Sequence, residues 1–162
     1  MKILNSKLKF MPHKFIVYTD GGSRGNPGAA AIGVVISSIG GPASGGEGWK
    51  KEYGEYIGIT TNNEAEYQAV VFALKKIKQL AGSSNAQKSH LIFYMDSELI
   101  IKQLNYEYKV KEEQMQKLFL EVHNLRLEFG KIEFRHVLRG KNEHADRLVN
   151  QALDREEDKL QL

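Results

Sequence analysis

The stretch that most restricts the fold is FIVYTDGGSRGNPGAAAIGVVI, Phe15 to Ile36. Four large residues suited to a buried β-strand lead into a glycine-rich turn, and an apolar run follows. That order spells a β-hairpin: a strand from Lys14, a turn over Gly21 to Gly28, and a return over Ala29 to Ser38. Asp20 stands where the first strand should still be apolar. A carboxylate at the inner end of a hydrophobic strand is costly unless something pairs with it, so the hairpin demands a partner for Asp20.

Downstream, residues 39–48 form a glycine-rich loop, and Trp49 to Thr60 resumes strand character through Tyr53, Tyr56, Ile57 and Ile59. From Glu64 the period changes: Tyr67, Val70, Val71, Leu74 and Ile77 recur at helical spacing until Gly82 stops the run. HLIFYMD, His90 to Asp96, predicts a short strand, followed by a helix over Ser97 to Leu104 and an amphipathic helix over Glu112 to Phe129. Ile132 to Leu138 alternates as a last strand, Arg139 to Lys141 turn, and Asn142 to Asp158 close the chain as a helix. Three strands followed by a βαβα succession predict an α/β fold: a five-stranded mixed sheet, antiparallel at one side, with helices on both faces.

At 162 residues the chain is expected to hold one domain, residues 14–154, between a tail at 1–13 and an acidic helix end at 155–162. It has no cysteine, which removes disulfides, thiolate metal sites and thiol nucleophiles, and it fits a cytoplasmic protein. Polar residues interrupt the N-terminus, so no secretory signal is expected, and the longest apolar run, Ala29 to Ile36, is too short to cross a bilayer. The formal charge of +3 permits a polyanionic partner without requiring one.

Four acids carry the chemistry. IVYTD and IFYMD end alike, on Asp20 and Asp96, and strand alternation puts each on the face of the Ile and Tyr four and two residues before it. Glu66 and Asp146 fall in the first turns of two helices. Each acid has an ordinary use taken singly, as a turn or helix cap or as a complement to the helix dipole; Glu64, three residues after Thr61, fits a capping box. Their joint position at element ends points elsewhere. Adjacent carboxylates must share a proton or a cation, and oxygen ligands without cysteine favour Mg²⁺ or Mn²⁺. This is the arrangement expected for two hard ions about 4 Å apart that assist phosphoryl-ester hydrolysis. GGSRGNPG lacks the Gly-Lys-Ser/Thr ending of a phosphate loop and precedes a strand, so no nucleotide-binding loop is expected.

YTDGGSRGNPG, TNNEAEYQAV, MDSELI and NEHADRLVN, in this order, resemble the type 1 ribonucleases H from about Lys14 to Asp154. The resemblance implies a ribonuclease H-like fold and a monomeric Mg²⁺-dependent endonuclease that cuts the RNA strand of RNA/DNA hybrids, with Mn²⁺ as a substitute. It implies two ions bound with substrate, products with 5′-phosphate and 3′-hydroxyl ends, and Asp20, Glu66, Asp96 and Asp146 as metal ligands. It also implies Asn26, Asn62 and Asn63 in the minor groove, where 2′-hydroxyls are displayed, and Thr61 at a DNA phosphate. The main alternative is a module of the same fold that binds hybrids without cutting them.

Three departures from the family stand out. The histidine of its mobile loop is absent; the short turn VLRGKNEHAD offers Arg139 as a phosphate contact, and neither His136 nor His144 is a convincing substitute. Glu98 replaces a substrate-contacting glutamine. NYEYKVKEEQ is too short for the basic helix some relatives insert, which leaves Lys102, Lys109 and Lys111 there, with Lys75, Lys76 and Lys78 read as a solvated helix face.

Overall fold

A computed structural model describes residues 13–39 and 48–162. The expected N-terminal tail, His13 excepted, and residues 40–47 of the glycine-rich loop lie outside the described residues.

The hairpin forms as its sequence requires. β1 (Lys14–Gly25) and β2 (Gly28–Ile39) are antiparallel around Asn26 and Pro27, with Asp20 opposite Gly33. β3 (Trp49–Thr60) pairs antiparallel with β2. β4 (His90–Met95) lies parallel to the other side of β1, and β5 (Lys131–His136) parallel to β4, giving the order β3-β2-β1-β4-β5. Parallel neighbours need crossovers. These are α1 (Asn62–Ala81) with the single-turn α2 (Ser83–Ala86), then α3 (Glu98–Leu104) and α4 (Glu113–Arg126). A 3₁₀ turn, Arg139–Lys141, leads into α5 (Glu143–Leu160).

The two faces of the sheet are filled differently. Ile32 joins the main core with Phe15, Val17, Phe93 and the α1 residues Tyr67, Val70, Leu74 and Ile77. Its neighbour Ala31, pointing the opposite way, packs with Val149, Ala152 and Leu153 of α5. A helix can lie this close over β2 only because Gly33 has no side chain: a Cβ there would sit 2.0 Å from the carbonyl oxygen of Ala145. Helices therefore cover both faces, as the sequence predicts.

Element ends differ slightly from the sequence reading. α1 begins at Asn62 rather than Glu64, because Thr61 caps it by accepting the Glu64 N–H at 3.2 Å. Glu64 does not complete the capping box; its carboxylate takes the Thr60 hydroxyl. β5 stops at His136, and Val137 gives a last bond to the Met95 carbonyl at 2.9 Å before the chain turns away. α5 runs unbroken through residues 155–160, and Arg155 donates to the Gly54 carbonyl of β3 at 2.9 Å.

Candidate metal and nucleic-acid site

β1 and β4 are parallel neighbours in register, Tyr18 beside Tyr94, with their rings stacked at 5.1 Å. Two residues further on, Asp20 and Asp96 stand side by side at the carboxyl ends of the two strands, the edge where open α/β sheets bind ligands. Gly21 admits the third acid. A Cβ on Gly21 would lie 2.3 Å from the Ala65 carbonyl carbon, so only glycine lets the first turn of α1 approach β1 and bring Glu66 against Asp20.

One carboxylate oxygen from each of Asp20, Glu66 and Asp96 lies within 4.8 Å of the others. Asp20 and Glu66 are 8% and 7% exposed, so little water screens them. Burial, and then repulsion from Asp96 and Asp146, raise the Asp20 carboxyl from 3.8 to about 7. Burial, and then the charge of Asp20, hold Glu66 well above the usual carboxylate range. Two carboxylates so close and so poorly solvated must share a proton or a cation. Oε2 of Glu66 is buried and has no hydrogen-bond partner among the described residues. An orphaned oxygen beside three converging carboxylates is a donor set that fits a hard divalent cation.

Asp146, in the first turn of α5, faces the same cleft of about 500 Å³. It stands outside the tight trio. Its Oδ2 is 3.4 Å from Nδ2 of Asn150, and its Oδ1 is 3.8 Å from the guanidinium of Arg139. The structure thus brings all four predicted acids to one cleft, three in mutual contact range and the fourth on its wall.

Of the predicted nucleic-acid residues, Asn62 and Arg139 line this cleft. Oδ1 of Asn62 accepts the Ser23 N–H at 2.8 Å, and the Asn62 N–H donates to Oδ1 of Asn26 at 3.1 Å. The β1–β2 turn and the start of α1 are thereby joined into one exposed amide surface, with half-buried Asn63 next in the helix. The Thr61 hydroxyl is engaged in capping, as noted. Arg139 is 84% exposed in its side chain. Glu98 starts α3 outside the cleft lining and pairs with Lys102 at 3.0 Å. Lys109 and Lys111 line a separate hollow of about 460 Å³ with Leu99, Tyr108 and Met115. Lys75 is tied to Glu121 of α4 and Lys78 to Glu128 in the turn just after it, and Lys76 lies over the Tyr53 ring at 5.1 Å, which fits a structural helix face.

Asn142 and Arg24 were given no role from the sequence, and two histidines were set aside. Asn142 is 1% exposed and reaches Asp96. His136, set aside as a strand residue, places Nε2 3.2 Å from the Asp96 carbonyl oxygen. His144, set aside with it, does point away, to Glu52 at 3.0 Å. Arg24 lines the cleft and is clamped by Asp154 at 2.6 Å and Glu157 at 2.5 Å. Asn142 and Arg24 lie within motifs quoted above, but the contacts of each depend on which elements become neighbours.

A mixed five-stranded sheet in this order, with acids gathered at its strand ends, defines the ribonuclease H class of fold. Residues 18–152 match the family described as reverse transcriptase-like, and the chain belongs to that family as a ribonuclease HI-like member. Ribonuclease HI of Halobacterium salinarum is 36% identical over 137 residues, covering 85% of this chain and 63% of that protein. The crystal structure of RNase H1 from the same archaeon matches with a TM-score of 0.74 at 34% identity, over 87% of this chain and 98% of that one. LC11-RNase H1, solved in complex with an RNA/DNA hybrid, matches with a TM-score of 0.76 at 41% identity, over 87% and 97% of the two chains. A bifunctional protein of Mycobacterium tuberculosis is 34% identical over 148 residues, and the chain spans 36% of its length.

Proposed function

We propose that this protein is an endonuclease that hydrolyses the RNA strand of RNA/DNA hybrids with Mg²⁺, Mn²⁺ serving as a substitute. The observation that carries the reading is the convergence of Asp20, Glu66 and Asp96 within 4.8 Å at the carboxyl edge of the sheet. The hybrid bound to LC11-RNase H1 and the ribonuclease H relatives support it.

Asp20, Glu66 and Asp96 would hold the metal, joined by Asp146 when substrate brings a second ion. Bound ions supply the activation of the attacking water and the stabilisation of the leaving 3′ oxygen, which yields 5′-phosphate and 3′-hydroxyl ends. The protein's own contribution is placement. Asn26, Asn62 and Asn63 offer short amides to 2′-hydroxyls and base edges in the wide minor groove, which is how a hybrid is told from DNA. Thr61 and Arg139 serve as phosphate contacts, and binding through phosphates weakens as salt rises. Glu98 has the weaker claim to a substrate role, since its partner is Lys102. The protein is expected to act as a monomer.

The test compares an RNA-labelled hybrid, duplex RNA and duplex DNA with Mg²⁺, with Mn²⁺ and with chelator. Cleavage of the hybrid alone, lost in chelator, is the expected result. Metal-independent cleavage, or equal cleavage of duplex DNA, contradicts the proposal.

A further inference from the structure

Asn142 precedes α5 at its N-cap, where asparagine ordinarily bonds a free N–H of the first turn. Here it makes no side-chain cap bond. Its amide instead turns inward at 1% exposure and spends both donors elsewhere: Nδ2 lies 2.9 Å from the Thr19 carbonyl oxygen and 3.5 Å from Oδ2 of Asp96. Both partners are acceptors, so the nitrogen must be the atom that faces them, and the orientation of the amide is fixed by its surroundings. The Asn142 backbone carbonyl also accepts the Asp146 N–H at 3.1 Å.

One residue thus touches Asp96 directly, the strand end immediately before Asp20, and the backbone of Asp146. These three acids come from β1, the end of β4 and α5, with no covalent connection shorter than tens of residues between them. A neutral donor is the chemistry the position calls for. A lysine or arginine would compete with a cation for the same carboxylate oxygens, whereas an amide orients Asp96 and leaves its charge intact. Oδ1 of Asn142 is buried without a partner among the described residues, so this placement is maintained against a desolvation cost.

We infer that Asn142 is a positioning residue, a neutral donor that orients the Asp96 carboxylate toward a bound divalent ion and fixes the start of α5 against the end of β1. The inference rests on the nuclease reading above. It predicts that loss of the amide weakens the metal rather than the grip on nucleic acid.

The test uses the full chain and three variants. Asn142→Ser keeps a residue suited to helix starts and removes the amide. Asn142→Asp keeps the shape and replaces the donors with acceptors. Leu74→Ala, on the buried face of α1, supplies a loss of thermal stability for comparison. Mn²⁺ affinity is read by EPR of free Mn²⁺ without nucleic acid, and kcat and KM on the hybrid are measured separately. Asn142→Ser is expected to bind Mn²⁺ about 10- to 100-fold more weakly, the range typical of lost partners to metal ligands. Its kcat should fall while KM for hybrid stays nearly unchanged, and Leu74→Ala should keep the parent's Mn²⁺ affinity. Asn142→Asp should fold and show a reduced kcat even in saturating Mn²⁺.

Parent-like Mn²⁺ affinity in Asn142→Ser, or parent-like kcat in Asn142→Asp, overturns the assignment while leaving the nuclease reading intact. A parent protein that binds no Mn²⁺ and leaves the hybrid whole overturns both.

Discussion

Asp20, at the end of β1, and Glu66, in the first turn of α1, bring two buried carboxyl groups together, with an oxygen of each within 4.8 Å of the other. Two charges this close and this poorly solvated favour retention of a proton by one of the pair. The pair is therefore a site where a proton and a cation compete, and its behaviour with pH follows from that.

Asp20 titrates near 7 in the folded protein and at 3.8 in an exposed carboxyl, chiefly because it is buried. Between those values the folded protein holds a proton that the unfolded chain has lost, so stability falls as pH rises through this window. A divalent ion takes the place of that proton and should stabilise most above the window. Melting temperatures in chelator at about pH 5 and about pH 8, for the parent and Asp20→Asn, check this. The variant should lose less stability than the parent across the interval, and Mg²⁺ should raise the parent's Tm more at the higher pH. Parallel losses in the two proteins would remove the role given to Asp20.

Gly21 is a packing requirement rather than a flexible link. A Cβ there meets the backbone of Ala65 and Glu66 at 2.3–2.4 Å, where no side chain can yield. Gly21→Ala should cost at least about 3 kcal/mol in urea unfolding, the upper end of overpacking effects, because α1 must move bodily. A loss below about 1 kcal/mol would mean that α1 shifts easily, and Glu66 with it.

Asn62 ties the β1–β2 turn to α1 through Ser23 and Asn26. Asn62→Ala removes the acceptor for Ser23 and one amide offered to the hybrid. Raising KM about 2- to 10-fold with kcat nearly unchanged is the outcome expected for one lost hydrogen bond. Steady-state kinetics on a hybrid checks it; a fall confined to kcat would place Asn62 among the chemical groups instead.

Much of this was legible from the sequence because the informative residues are local. The hairpin, α1 and β4 each announce themselves through period and punctuation, and Asp20 and Asp96 stand out because a charge closes an apolar strand. Glu66 was findable as an acid in a first turn that capping did not explain. The remainder depends on neighbours brought together across the fold. Asn142 looks like an ordinary N-cap until β1 and Asp96 are placed beside it, and the Arg24 clamp joins residues 130 and 133 positions apart. His136 shows the same limit: alternation puts it on a strand but says nothing of the Asp96 carbonyl next to it. The Lys75 and Lys78 pairs run the other way, since glutamates of α4 and of the turn after it, not nucleic acid, occupy those charges. Removing both charges should leave hybrid affinity within about 2-fold while costing less than about 1 kcal/mol per pair, as expected for exposed ion pairs. A filter-binding titration and a urea curve measure the two.

In the proposed nuclease, Asp96 is needed to hold metal and not to hold the hybrid. The most direct measurement pairs a gel-shift titration of Asp96→Asn on an RNA/DNA hybrid with a Mg²⁺ cleavage time course on the same substrate. Hybrid affinity within a few-fold of the parent and no cleavage are expected. Cleavage at a rate comparable to the parent's would contradict this role of Asp96.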